Sequence, residues 1–352
     1  MQASLSALYL GSYANHGEGM ISLGACPKIH VSCRIGYVRA RKRAFGTRVT
    51  AHNPGVGDVS RIHDAMRARY GKTSQRVLDS LAFAATGQEY TRFHPGKGLQ
   101  KASSYIEGLS AKPFHDVSDL DYEWLRGLER DYPVILDELV SALTNPQLST
   151  FGNRIWAAAA REEAVAYGPD WKTLVLQDRC VWDETNASLF PKTVEILKNH
   201  NVPSVEAFFA RQAPSTGIKP HSDYTNFILT SHLGLDVPEG QCWMKVGEFK
   251  KDWVNGGGMI VDTSFVHSTA NESDSKTRYV LIIRFWHPEL TLAERQALQF
   301  LFEALDDPSD EGIALAIRTA SRREATLKSS SGSAKKGCAE HRSLGLLSKG
   351  MK

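Results

Sequence analysis

No apolar run in this sequence approaches the roughly 20 residues that a membrane-crossing helix needs, so a membrane-spanning protein is not expected. Cysteine is sparse: Cys26, Cys33, Cys180, Cys242 and Cys338 are scattered, odd in number and nowhere spaced as C-x-x-C. That argues against a disulfide framework or a thiolate metal site and suits reduced thiols in a reducing compartment. Charge of one sign is scarce as well, with a formal net of +3 whose excess sits at the two ends. The body between them is close to neutral or acidic, which speaks against nucleic-acid binding. Internal repeats are lacking too. What remains is an ordinary globular composition, 42% apolar and 23% charged over 352 residues. A chain of that size can bury a sizeable core, as one large domain or two small ones.

The ends differ from the middle. Residues 1–57 hold Lys28, Arg34, Arg39, Arg41, Lys42, Arg43 and Arg48 against one acid, Glu18. Such a segment reads either as a transit peptide for a plastid or mitochondrion, or as a disordered basic leader on a cytoplasmic protein. Residues 306–352 drift into Ser, Lys and Arg and predict a largely disordered tail. Residues 58–104 form a helical N-terminal segment in this reading: Ile62, Met66 and Tyr70, then Val77, Leu81 and Ala84, recur at helical spacing. Gly87 and Pro95–Gly98 end it with turn chemistry.

A helix is expected from Ser118, capped by Ser118 or Asp119, with Trp124, Leu125 and Leu128 as its apolar stripe. Pro133 opens a second, carrying Ile135, Leu136, Leu139, Val140 and Leu143 toward a core until Asn145 and Pro146 close it. Past Trp171 the pattern turns to short strands: Val205–Ala210, Asn226–His232, Gln241–Val246, Met259–Val261 and Arg278–Phe285. Strands of this length and spacing predict a sandwich or barrel-like double sheet, mainly β with flanking helices. A last helix runs from Thr291 to about Leu305, with Leu292, Leu298, Phe300, Leu301 and Phe302 available for burial.

The chemistry concentrates in His221, Asp223 and His267. Two imidazoles and one carboxylate are the set with which non-haem Fe(II) oxygenases hold their metal on one face and leave the other open. Residues at i and i+2 of a strand point the same way, so His221 and Asp223 can chelate one ion together while another strand delivers His267. Read alone, the three could also be polar rim residues and a satisfied core histidine. Arg278, at the head of an apolar strand, has the planar fork that captures an organic acid's carboxylate, the distal end of 2-oxoglutarate among them. The competing reading pairs it with Asp274 or Glu272 at a strand edge. Asp262 and Ser264 are candidates for aiming the imidazoles, or turn residues bonding their own backbone.

Several ordered motifs carry a family resemblance. Residues 221–226 (His-Ser-Asp-Tyr-Thr-Asn), 231–235 (Ser-His-Leu-Gly-Leu), 262–267 (Asp-Thr-Ser-Phe-Val-His) and 286–291 (Trp-His-Pro-Glu-Leu-Thr), with Val237, Pro238, Cys242, Trp253 and Arg278, resemble the aspartyl/asparaginyl β-hydroxylase family. Segments around Trp171–Leu174, Asn186, Pro191–Thr193 and Gly108–Leu139 extend the likeness over about residues 105–300, with residues 105–305 read as the dioxygenase domain. The resemblance implies a double-stranded β-helix and an enzyme using Fe(II), 2-oxoglutarate and O₂, with ascorbate as an auxiliary reductant. It further implies that His221 and His267 bind the metal, that Arg278 holds the co-substrate's distal carboxylate and that His232 lies near it. The best-known target of the family is the β-carbon of an aspartyl or asparaginyl residue in a peptide or protein.

The departures from the family pattern are specific. Asp223 stands where its animal peptide hydroxylases have Gly, so a carboxylate joins the two imidazoles here. Tyr224 replaces a Pro, Thr230 an Arg, Thr263 an Asp, and Arg284 sits where an acid is common. These weaken the peptide-substrate expectation and leave three alternatives beside it: hydroxylation of a lipid acyl chain or small metabolite, a non-catalytic β-helix binding module, and a hydrolytic Zn²⁺ on the same ligands. Oligomeric state is left open by the sequence.

Overall fold

The structure, a computed structural model, describes residues 56–145, 156–158 and 170–344. The basic segment up to residue 55 and its proposed targeting role lie outside the described residues, as do 345–352.

Two antiparallel sheets face each other. The smaller has the order β11-β10-β13-β8: β8 is Thr216–His221, β10 Cys242–Val246, β11 Phe249–Asp252 and β13 His267–Asn271. The larger runs β3-β12-β9-β14-β7-β5-β4, with β6 against β5. Here β3 is Phe114–His115, β4 Ala157–Ala158, β5 Trp171–Asp178, β6 Val181–Trp182 and β7 Ser204–Gln212. The remaining strands are β9 (Ile228–Asp236), β12 (Gly258–Val261) and β14 (Arg278–Trp286). Successive strands cross repeatedly between the sheets, which is the double-stranded β-helix arrangement. A separate hairpin, β1 (Tyr90–His94) with β2 (Gly98–Ala102), is laid over the loop between β12 and β13. There Lys101 N–H donates to Ser264 O (2.8 Å) and Val266 N–H to Leu99 O (2.8 Å).

Alternation along each strand decides what faces the space between the sheets. Phe208, Ala210, Met259, Val261, Val280 and Ile282 of the larger sheet meet Ile218, Met244 and Val246 of the smaller one, with Trp253 just beyond β11, in one buried cluster. The outer positions of the larger sheet, such as Phe209, Leu229, Leu233, Leu281 and Ile283, are covered by α3 (Glu123–Thr144), α4 (Glu184–Leu189) and α5 (Pro191–Asn199). Both faces of β14 are therefore buried, which is why its middle, Val280–Ile283, is continuously apolar rather than alternating. A third cluster joins α1 (Val56–Tyr70), α2 (Gln75–Ala85), α6 (Leu292–Asp306) and α7 (Asp310–Leu344) to Phe227, Ile228 and Trp286 at one end of the sheets.

Several expectations are corrected. The region from Ser118 gives one long helix, α3, with Pro133 inside it. Trp124, Leu125 and Leu128 before the proline and Ile135 and Leu139 after it join the same buried cluster, and that packing outweighs the lost backbone bond. Neither Ser118 nor Asp119 caps it: Ser118 donates to Asp116, and the helix starts after Tyr122. Val140 and Leu143, expected in the core, are exposed, as is Leu292 in α6. The end of the helical N-terminal segment is the β1–β2 hairpin, whose turn is the Pro95–Gly98 stretch. Strand β5 lies outside the expected strands, whereas the strands expected to carry His221 and His267 are β8 and β13. Helix α7 also lies outside expectation: the polar composition predicted a disordered tail, yet Ile313, Ala316 and Ala320 find apolar surface on the preceding helices and are buried. By contrast Thr291 begins α6 as expected, with a reciprocal capping box to Glu294.

Candidate metal centre

The site forms at one end of the adjacent antiparallel strands β8 and β13 of the smaller sheet. His221 is the last residue of β8 and His267 the first of β13, and the register pairs them directly, with ring centroids 4.2 Å apart. His267 thus opens a strand of its own, beyond the loop 262–266, rather than ending the one that contains Met259–Val261. Asp223 is not in a strand; it lies two residues beyond the end of β8, with its carboxylate near the Nε2 atoms of both rings. Tyr224, next in sequence, is left-handed at φ +62°, a strained conformation for a side chain of its size. Its carbonyl is held there by the backbone N–H groups of Ser103 (3.0 Å) and Ser104 (3.2 Å). Ser222 anchors the other side, its hydroxyl 2.8 Å from Lys101 O and 3.0 Å from Ser264 O.

Backbone carbonyls orient the imidazoles. Nδ1–H of His221 donates to Lys219 O (2.8 Å) and that of His267 to Phe265 O (2.9 Å). A carbonyl can only accept, so each ring carries its proton on Nδ1 and presents a bare Nε2. These Nε2 atoms stand 3.8 Å and 3.9 Å from Asp223 Oδ1, and all three donor atoms lie within 4.8 Å of one another. Two ligands about 2.1 Å from one ion are separated by about 3.0 to 4.2 Å, depending on the angle they subtend. The two nitrogen–carboxylate spacings fall within that range. Asp262 and Ser264, proposed as the aiming groups, bond each other instead: the Asp262 carboxylate accepts from the Ser264 N–H at 3.0 Å and from its hydroxyl, organising the loop.

Protonation favours the ligand form. Burial, reinforced by the facing His267, pulls His221 down to about 4. Burial alone would raise Asp223, but His267 and Arg284 hold it below the ordinary carboxylate range. Neutral imidazole and ionised carboxylate are what a divalent ion requires.

Deeper between the sheets lies a second polar region. Arg278 is 1% exposed, its guanidinium stacked 4.2 Å over the Trp253 ring. Its Nε and Nη1 have no hydrogen-bond partner among the described residues, and burial draws its pKa down to about 10. The strand-edge salt bridge is thereby ruled out: Asp274 and Glu272 do not reach it, and Glu272 accepts from the Trp243 indole (2.7 Å). His232, opposite Ile282 on the neighbouring strand, is also buried, with an unpartnered Nδ1 and a pKa lowered to about 3 by burial and by Arg278. Sequence reading missed two companions. Gln212 sits directly opposite Arg278, and Thr269 points inward two residues beyond His267; both carry buried side-chain atoms without partners among the described residues. An isolated Gln or Thr in a strand gives no sequence signal of such a role. A buried cation and several buried polar atoms unpartnered among the described residues suit an anionic, oxygen-rich ligand.

The family model described as Aspartyl/Asparaginyl beta-hydroxylase matches residues 129–288, from α3 through the end of β14. The human Aspartyl/asparaginyl beta-hydroxylase is 26% identical over 233 residues, 65% of this chain, so the chain spans 30% of that protein's length. A rat Aspartate beta-hydroxylase domain-containing protein 2 is 38% identical over 267 residues, covering 68% of this chain and 72% of the relative. Among solved structures, AviO1 from Streptomyces viridochromogenes superposes with a TM-score of 0.30 at 12% identity, over 45% of this chain and 87% of that one. With a relative this similar matched over most of its own length, and the motifs of both sheets in order, the chain belongs to the aspartyl/asparaginyl β-hydroxylase family.

Proposed function

We propose that the chain is an Fe(II)- and 2-oxoglutarate-dependent dioxygenase that hydroxylates an unactivated C–H bond, with the β-carbon of an aspartyl or asparaginyl residue as its target. The observation that carries this reading is Arg278: a buried guanidinium with Nε and Nη1 unpartnered among the described residues, joined through His232, which feels Arg278, His267 and Asp223 alike, to two tautomer-fixed imidazoles and a carboxylate. A hydrolytic zinc site gives that arginine no task. A binding module that had lost turnover would have little reason to keep three ligand side chains in register.

His221, Asp223 and His267 would hold the metal, and when bound it would supply the oxidising chemistry by which O₂ and 2-oxoglutarate yield a hydroxylated product, succinate and CO₂. The chain's own work is positional. Arg278 would take the distal carboxylate of 2-oxoglutarate as a charge-assisted pair, with Trp253 flattening one face of the guanidinium. His232, neutral at physiological pH, can donate or accept beside the co-substrate without adding charge. Val280, Ile282, Met259 and Phe208 keep water from the space between them. His221, less enclosed than His267, marks the side on which a substrate can approach.

The test is succinate release from purified protein supplied with Fe(II), ascorbate and 2-oxoglutarate, with Asp- and Asn-containing peptides as candidate substrates. Product is read as a gain of one oxygen by mass spectrometry. Absence of 2-oxoglutarate binding in anaerobic calorimetry with metal present would sink the proposal.

A further inference from the structure

The surroundings of Asp223 are built from three strands and a loop, and every member is buried. Arg284 on β14 stands opposite Glu206 on β7 and opposite Thr230 on β9, so all three point into the same space. Its Nη1 lies 3.3 Å from each oxygen of the Glu206 carboxylate. The Thr230 hydroxyl is 3.4 Å from that of Thr263. Thr263 in turn grips Asp223 twice: its carbonyl accepts the Asp223 N–H at 2.9 Å, and its hydroxyl hydrogen-bonds the carboxylate.

A fully buried ion pair is seldom a net source of stability, because removing two charges from water costs about as much as their attraction returns. The Glu206–Arg284 pair therefore calls for another account, and its location provides one. Glu206 fixes the arginine on one side, while on the other its register partner Thr230 meets Thr263, the residue that bonds Asp223. Asp223 needs such support, since it sits beyond the end of β8, next to a strained residue, with no strand to set its direction.

We infer that Arg284, braced by Glu206, and Thr263 form a clamp that keeps the Asp223 carboxylate turned toward the two imidazoles, so that the third metal ligand is in place only while the clamp is intact. These are positioning residues that act through Asp223. The inference rests on the proposed metal-binding reading.

The experiment is an anaerobic Co(II) titration of the full chain followed by visible ligand-field absorption, which reports affinity and ligand set without turnover. The clamp variant is Glu206→Met with Arg284→Met, which leaves no charge unpaired in the interior. The second variant is Thr263→Val. Each is measured with Asp223 present and in an Asp223→Gly background. Loss of groups that support a ligand typically weakens metal binding about 10–100-fold, and that is expected for the double variant. Thr263→Val should weaken binding severalfold. In the Asp223→Gly background neither change should alter affinity by more than about twofold, the scatter expected of uncoupled sites. The spectrum of the clamp variant should also move toward that of Asp223→Gly.

Equal losses with and without Asp223 overturn the clamp, as does wild-type affinity in the folded double variant beside a weakened Asp223→Gly. Should the double variant not fold, Thr263→Val decides by the same comparison. No Co(II) binding by the unmodified chain, or wild-type affinity in Asp223→Gly, overturns the ligand reading itself, and the clamp falls with it.

Discussion

Replacing Arg278 by Met should move binding and stability in opposite directions. At pH 7 the arginine is charged, fully buried and unpaired, and its pKa falls from 12.5 to about 10 through desolvation. A cation whose folded pKa lies below its unfolded one costs stability throughout the range in which the unfolded chain keeps it charged. A drop of that size corresponds to about 3 kcal/mol. Stacking on Trp253 returns up to about 2 kcal/mol at a desolvated site. The net cost is thus about 1 kcal/mol, and a methionine would keep most of the packing over the indole. Without 2-oxoglutarate, Arg278→Met should melt roughly 2–4 °C higher in differential scanning calorimetry. Affinity for 2-oxoglutarate should collapse, because charge-assisted hydrogen bonds contribute about 1.5–3 kcal/mol each. Two of them amount to a loss on the order of 100-fold or more in anaerobic calorimetry. A variant that melts several degrees lower, or binds 2-oxoglutarate within threefold of wild type, would refute the reasoning: the guanidinium would then be a structural group and not an anchor awaiting its anion.

Acid should loosen the fold well before carboxylates are protonated in bulk. His115, His221 and His232 are pulled from 6.5 to about 3, 4 and 3, chiefly by burial. The unfolded chain then binds more protons than the native one below about pH 6.5, so stability is full above that value and falls steadily toward pH 4. A melting temperature flat between pH 7 and 4.5 would contradict this. Gly247→Ala should be severely destabilising, by about 3 kcal/mol or more, because a Cβ there would meet Lys97 O at 1.8 Å on a backbone already at φ +56°. Since Gly247 N–H also donates to Val266 O (2.8 Å), beside His267, urea unfolding and Co(II) affinity should suffer together. Unchanged metal affinity in a destabilised variant would show that the hairpin tip does not help hold the loop.

Much of the frame was legible from local pattern. The core strands around Phe208, Leu229, Met244, Ile260 and Ile282 announced themselves because residues that must be buried in a sheet are apolar and β-branched or aromatic. Thr291 marked the start of α6, and the structure adds Glu294, which with Thr291 satisfies the loose N–H groups of the first turn. Errors fell where distant partners outweighed local chemistry. Pro133 should stop a helix, yet one continuous apolar surface on the sheet keeps α3 whole. The tail after residue 306 lacks the composition of a core element, yet α6 offers it a surface.

The candidate site divides in the same way. The sequence by itself determined the donor set, because His221, Asp223, His267 and Arg278 are the chemistry and their identities cannot be altered by folding. Only the tertiary structure decided how they are held. Carbonyls of Lys219 and Phe265 choose the imidazole tautomers, a left-handed residue at Tyr224 follows the segment that sets Asp223 beside both Nε2 atoms, and Arg284 is linked to Asp223 through Thr230 and Thr263 across strands far apart in the chain. Backbone carbonyls have no letter in a sequence. Contacts between positions 206, 223, 263 and 284 arise only when the register of β7, β9 and β14 is set, and that register comes from packing the whole barrel rather than from any one strand.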